Sequence, residues 1–152
     1  MVSNQSAIGR GIATYADVEA TNLRLSALLK AECNEAELDA IFFCPHAPEA
    51  CCGCRKPLPG LVLNEDFPWS YDIRQSWVIG DKITDLEFGI AVGLTPERCI
   101  LVETGDGSAV SVEEVSGVEV SQRRLGTIVQ PTIVEAADYI ISKTTENENM
   151  SA

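Results

Sequence analysis

The sequence predicts a parallel α/β sheet, and three observations carry that expectation. Short apolar runs at 38–44, 75–81 and 98–104 have the length and continuity of strands buried on both faces. Stretches of helical periodicity lie ahead of and between them. Strands that alternate with helices in this manner build βαβ units, whose strands run parallel.

An opening loop leads to Thr14, whose hydroxyl suits an N-cap. A helix is expected over 15–33, with Val18, Leu25, Leu28 and Leu29 on one face. LDAIFFC (38–44) is the first strand, followed by a cysteine-rich loop and a short helix over 60–67. QSWVIGD (75–81) is the second strand and ends on a glycine and an acid. Thr84 is the expected cap of a helix that reaches Val92 and stops at Gly93. RCILVET (98–104) is the third strand. Between 105 and 131 the chain is rich in Val, Ser, Glu and Gly, and it reads as either an irregular loop or a loose hairpin. A short helix near 132–136 precedes ADYIIS (137–142), read as a fourth strand. KTTENENMSA (143–152) is a polar tail expected to fray, which leaves one domain over 1–142.

The chain has 152 residues, enough for one ordinary domain burying about 70% of its unfolded surface. No apolar run reaches the ~18 residues of a membrane span. The opening MVSNQSAIGRG has no apolar segment of the signal-peptide kind, so the expected compartment is the cytoplasm. A formal net charge of −12 argues against nucleic acid and anionic membrane surfaces as partners. A phosphorylated metabolite remains open to it, through a locally basic pocket.

The most informative stretch is CPHAPEACCGCRKPLPG (44–60). Cys44-x-His46 and Cys52-x-Cys54 supply three thiolates and the chain's only imidazole. Tetrahedral zinc takes this set, and four protein ligands close the site, so its expected role is to shape a loop rather than to activate water. In a reducing compartment clustered cysteines suggest metal more than disulfides. Cys51 is a spare that competes with Cys52. Cys33 and Cys99 stand alone and read as buried filler. The plain alternative is a loop of free, redox-active thiols. Directly after the clip come Arg55 and Lys56, which the loop would hold in one orientation. VIGDKITD (78–85) then delivers Asp81 to the carboxyl end of a strand, with Asp85 four residues on. A carboxylate so placed suits Mg2+, commonly held by one or two carboxylates plus substrate phosphate. The plain reading is that both acids merely open a helix.

Together VSNQSAIGRG, FFCPHAPE, CGCRKPLPG and VIGDKITD resemble the haloacid-dehalogenase-like (HAD) phosphatases. The branch they resemble is that of the D-glycero-D-manno-heptose 1,7-bisphosphate 7-phosphatases and the sister histidinol-phosphate phosphatases. The resemblance runs from residue 2 to about residue 105, in the family's order. It implies a Rossmann-like parallel sheet of the HAD type, truncated at the N-terminus and carrying a zinc-binding loop. The implied activity is a Mg2+-dependent phosphomonoester hydrolase working through an aspartyl-phosphate, on a small phosphorylated sugar, as a monomer. By position, Ser3 matches the hydroxyl that holds the transferring phosphoryl group, and Asn4 sits beside it. Lys56 matches the lysine that neutralises phosphate and nucleophile. Asp81 matches the magnesium ligand, and Asp85 the acid that supports its loop. Arg10 and Arg55 are candidates for the substrate's remote phosphate.

The family's nucleophile lies in an Asp-x-Asp-Gly-Thr motif that these residues do not contain. TGDGS (104–108) has Thr where the nucleophile belongs and follows the Asp81 strand instead of preceding it. The expectation is a chain that lacks the strand, loop and helix ahead of Ser3, inactive alone and exposing strand edges that invite aggregation. The rival for the chain as it stands is a zinc-stabilised interaction remnant with no turnover.

Overall fold

The middle strand of a three-stranded parallel sheet organises the second half of the chain. A computed structural model describes residues 1–63, 72–104 and 126–150, with side chains as far as 146. It divides into two compact units, Met1–Pro68 and Trp69–Ala152.

In the second unit β3 (Val78–Gly80), β4 (Cys99–Val102) and β5 (Ile128–Gln130) pair in parallel in the order β3-β4-β5. All four residues of β4 are buried, as a continuous apolar run in a central parallel strand should be. Its side chains alternate between two clusters, as the two-residue period of a strand demands. Cys99 and Leu101 join Leu86 and Leu94 beneath α3 (Ile83–Val92), with Ile73, Val78 and Ile90 around them. Ile100 and Val102 face Ala136, Tyr139 and Ile140 of α4 (Ile133–Met150), together with Trp77 and Ile79. Full burial of a side chain such as Leu86 or Ile100, both 0% exposed, contributes about 1.5–3 kcal/mol.

The strands are shorter than the apolar runs suggested. The 38–44 run yields only Phe42–Cys44, and the 75–81 run only Val78–Gly80, after a 3₁₀ turn over Ile73–Gln75. The α3 cap also differs. Thr84 lies inside the helix, and the Asp85 carboxylate accepts from the Lys82 N–H at 3.1 Å to close the first turn. Gly93 ends the helix as expected, at φ 107°, in the left-handed region where glycine meets no steric cost.

The largest correction concerns ADYIIS, which is helix and not strand. Short apolar runs do not separate the two by periodicity alone. The overlooked signal is Thr132-x-x-Glu135, a capping-box pattern. The Thr132 hydroxyl accepts from the Val134 N–H at 3.1 Å and donates to the Glu135 carboxylate. Ala136, Tyr139 and Ile140 then recur at helical spacing toward β4. Nor does the expected polar tail fray at 143. With no Gly or Pro to stop it, α4 continues to Met150, and Lys143 pairs with Glu146 at 2.8 Å. Part of the uncertain 105–131 region is β5; residues 105–125, and with them most of TGDGS, lie outside the described residues.

In the first unit β1 (Val2–Asn4) and β2 (Phe42–Cys44) form a parallel pair with Asn4 opposite Cys44. The opening was read as loop, and three residues are too few for a period to declare itself. A single turn, α1 (Ser6–Gly9), follows β1. The helix expected at 15–33 is α2 (Tyr15–Glu32), with Thr14 and Asp17 forming a full capping box. Tyr15 stacks against Phe43 of β2, ring centres 6.0 Å apart. Of the expected apolar face only Val18 is buried. The expected helix at 60–67 begins as a turn, the Leu63 N–H bonding the Pro59 carbonyl at 3.0 Å, and its remainder lies outside the described residues.

Gly89 gives a sign test of this packing. A Cβ there would stand 2.6 Å from the Cys99 sulfur and 3.3 Å from Val78 Cβ. Helix propensity alone favours Gly89→Ala by about 1 kcal/mol. Overpacking costs about 1–3 kcal/mol and is expected to win. Chemical denaturation should therefore find the variant less stable, and an unchanged or raised midpoint would refute the α3–β4 contact.

Candidate metal centre and phosphate site

The metal-ligating side chains are gathered by β2 and the loop that leaves it. Cys44, the last residue of β2, is fully buried, and the chain turns from there through His46 and a 3₁₀ turn over Pro48–Ala50. Cys51 takes a left-handed conformation, φ 48°, which reverses the chain so that Cys52 and Cys54 return to Cys44. The result is a tetrad whose ligand atoms all lie within 4.8 Å of one another. Cys44 Sγ stands 3.5 Å from Cys52 Sγ, 3.2 Å from Cys54 Sγ and 3.6 Å from His46 Nδ1. Cys54 Sγ is 3.3 Å from His46 Nδ1 and 3.5 Å from Cys52 Sγ. The edges of a tetrahedron around zinc, with Zn–S near 2.3 Å, are about 3.5–3.8 Å. The tetrad therefore fits a tetrahedral ion, with imidazole bound through Nδ1.

Electrostatics point the same way. Burial pushes the Cys52 thiol up, but hydrogen bonds from the Cys54 and Cys44 thiols and from the Cys54 and Arg55 N–H groups outweigh it, leaving it at about 6. Burial and then the neighbouring sulfurs push Cys54 up to about 12. The first thiolate is easy to form and the next is opposed by it. A dication removes that opposition, because it binds thiolates and releases their protons.

The remaining cysteines separate cleanly. All six are free, and Cys51 is exposed beside the tetrad. Cys99 is buried, and burial followed by the Glu97 charge pushes it up to about 11. Cys33, expected as buried filler, is exposed at the C-terminal end of α2.

Beyond Cys54 the chain delivers Arg55 and Lys56. A guanidinium N–H of Arg55 donates to the His46 carbonyl at 3.2 Å, so the loop holds that side chain. The Lys56 ammonium donates to the Val2 carbonyl at 2.8 Å, which sets it beside Ser3 on β1. Ser3 accepts from the Gln5 side-chain amide at 3.2 Å. A hydroxyl has one donor and two acceptor positions, so this bond leaves the Ser3 O–H able to donate. This Gln5 contact is one that sequence reasoning missed. The Asn4 carboxamide turns to Lys56, donating to its carbonyl at 3.1 Å and accepting from its N–H at 3.0 Å. Gly9 permits α1 to lie on the metal loop, since a Cβ there would stand 2.5 Å from the Ala47 nitrogen and 2.9 Å from the Pro45 oxygen. Arg10 follows as the exposed C-cap of α1.

The second unit carries the two acids. Asp81 is half-buried and leaves the carboxyl end of β3, the end of a parallel sheet where ligands bind. Asp85 is 6% exposed, and its side chain fills the space that a Cβ on Gly80 would need. Through its bond to the Lys82 N–H it fixes the loop that presents Asp81. One carboxylate at a strand end fits Mg2+ as a partial ligand set that substrate phosphate would help complete. Among the described residues no helix is long and apolar enough to cross a membrane.

Parallel sheets, a cysteine-histidine tetrad and an acid at a strand end define an α/β protein with a candidate metal centre, and comparison makes the class particular. A HAD-hydrolase-like family model matches residues 53–129. A D-glycero-beta-D-manno-heptose-1,7-bisphosphate 7-phosphatase of Neisseria meningitidis is 30% identical over 145 residues, which cover 95% of this chain and 72% of that protein. The chain belongs to the HAD-hydrolase-like family. The enzyme of the same name from Pseudomonas putida is 38% identical over 107 residues, 70% of this chain and 58% of that protein. A solved D,D-heptose 1,7-bisphosphate phosphatase from B. bronchiseptica, complexed with magnesium and phosphate, superposes with a TM-score of 0.74 at 29% identity, over 93% of this chain and 73% of that one. The chain spans little more than half the length of several relatives it matches, between 51% and 58%.

Two outcomes follow from the cysteine geometry. The chain is expected to bind one zinc with three sulfurs and one nitrogen, read by metal analysis and X-ray absorption. Cys54→Ser should weaken it at least about 10-fold and Cys51→Ser leave it unchanged. In the zinc-loaded native chain, alkylation followed by peptide mass spectrometry should label Cys33 and Cys51 and spare Cys99. Labelling of Cys52 at the same rate as Cys51 would contradict a closed site.

Proposed function

We propose that this chain serves a Mg2+-dependent phosphomonoester hydrolase of the HAD type, which removes the 7-phosphate of D-glycero-D-manno-heptose 1,7-bisphosphate in the cytoplasm. The observation that carries the reading is the Lys56 ammonium held on the Val2 carbonyl, one residue along β1 from Ser3. Those are the two residues that the family pattern assigns to the transferring phosphoryl group. The names of the relatives support the substrate class.

Phosphoryl transfer asks a protein for position and charge more than for covalent chemistry, because charge spreads over the transferring oxygens. Ser3, with Gln5 on its oxygen, donates to one phosphoryl oxygen. Lys56 offsets the charge of the group. Asp81 is the residue that would hold Mg2+, whose chemistry is to supply positive charge to a phosphate, and Asp85 sets its loop. Arg55 and Arg10 take the remote phosphate. Zinc in the tetrad acts as a clip that orients Arg55 and Lys56. The aspartyl-phosphate step takes its nucleophile from the family's Asp-x-Asp-Gly-Thr motif, which is not among these 152 residues.

The test is phosphate release from heptose 1,7-bisphosphate in Mg2+, by the chain together with whatever is encoded in frame ahead of Met1. One equivalent is expected, with Lys56→Met slowing release roughly 10²–10³-fold. Preference for histidinol phosphate would move the reading to the sister substrate. No release from either substrate would overturn it and leave a zinc-stabilised binding protein.

A further inference from the structure

We infer that Asn4 is a positioning residue for Lys56. The inference rests on the reading of Lys56 as the phosphate-neutralising group. It gives Asn4, a residue that family position places among the substrate contacts, a task in holding the lysine.

The geometry is specific. Lys56 lies in a turn and in no strand, yet its N–H and C=O are answered together, as a neighbouring strand would answer a peptide edge. Here the Asn4 side chain answers both: Lys56 N–H to Asn4 Oδ1 at 3.0 Å, and Asn4 Nδ2 to the Lys56 carbonyl at 3.1 Å. A carboxamide carries one acceptor oxygen and a donor NH2, so it can pair with a peptide edge as a strand does. No carboxylate or hydroxyl can make both bonds. Asn4 is itself fixed, since it ends β1 in register with Cys44, and the next N–H, of Gln5, bonds the Cys44 carbonyl at 2.8 Å. Cys44 is also a tetrad residue, and Cys54 stands two residues before Lys56.

Lys56 is thereby held along its length. Its backbone is tied to the clip through Cys54, its peptide edge to Asn4, and its ammonium to the Val2 carbonyl. Asn4 supplies the bond pair at the peptide edge, and so fixes the plane from which the long side chain leaves the loop. Both polar ends of its amide are engaged on Lys56, which turns the side chain to the lysine's peptide.

Two measurements test the assignment on the zinc-loaded chain. The first is the Lys56 ammonium resonance in nitrogen-edited NMR, which slow exchange makes visible only while the ammonium is held. Asn4→Ala should abolish that signal while zinc content and the α2 resonances persist; a signal that survives overturns the proposal. The second is a double-mutant cycle on inorganic phosphate binding, followed by phosphorus NMR. Asn4→Ala and Lys56→Met should each weaken binding several-fold, and the double variant no further than Lys56→Met alone. Additive losses would make Asn4 a direct phosphate contact and overturn the proposal. If the unmodified chain binds no phosphate, the phosphate reading fails, and the ammonium signal still decides whether Asn4 holds Lys56. Asn4→Ser, whose side chain is too short to span both backbone atoms, is read in the same way if the alanine variant does not fold.

Discussion

Three sulfurs and one imidazole nitrogen within 4.8 Å are the constraint on which the first unit depends. The loop they close has almost no core of its own. Cys44 is its one buried side chain, and Cys51, Gly53 and Leu58 are exposed. Apolar burial could not hold such a segment, whereas a structural zinc contributes about 10–16 kcal/mol in small domains. Two charged side chains of the proposed phosphate site, Arg55 and Lys56, come directly after the last tetrad residue. Their geometry is inherited from the loop, through the His46 carbonyl for one and through Cys54 and Asn4 for the other. Loss of an ion held by the tetrad would therefore be felt at both side chains.

The second unit solves a comparable problem by packing. Asp81 stands at the end of β3, and the loop that presents it is steadied by a buried acid folded under a glycine. Gly80 has no Cβ because Asp85 occupies that space, and Asp85 in turn bonds the Lys82 N–H. The rest of that unit gives this corner something rigid to lean on. β4 is buried along its whole length, with α3 on one face and α4 on the other, and α3 begins at the residue after Lys82.

Legibility in the sequence followed the range of the interactions. The tetrad could be read because its ligands are close in the chain and chemically unmistakable. Buried strands could be read from continuous apolar runs, although their ends could not, since pairing and not composition sets where a strand stops. α4 was misread because the apolar run 137–142 fits either element, and the four residues that decide it, Thr132 to Glu135, lie upstream. The Asn4–Lys56 bracket was invisible because it joins residues 52 apart in sequence. Gln5 was missed for a different reason. It is a local contact, two residues from Ser3, but an amide beside a hydroxyl is too common a pattern to single out.

The net charge of −12 gives the local order its purpose. A phosphorylated ligand of the proposed kind would meet repulsion at long range from so acidic a chain, and salt confines that repulsion to about 10 Å. Attraction has to come from a few cations at close quarters. A lysine free to sweep its rotamers would spread its charge over a wide volume and would lose up to about 2 kcal/mol of side-chain entropy on binding. Holding Lys56 at its peptide and at its ammonium removes that cost before the ligand arrives. The clip, the carboxamide and the Val2 carbonyl thus act on one quantity, the position of a single positive charge. That quantity is what a protein with eleven cations against twenty-three acids has least of to spare.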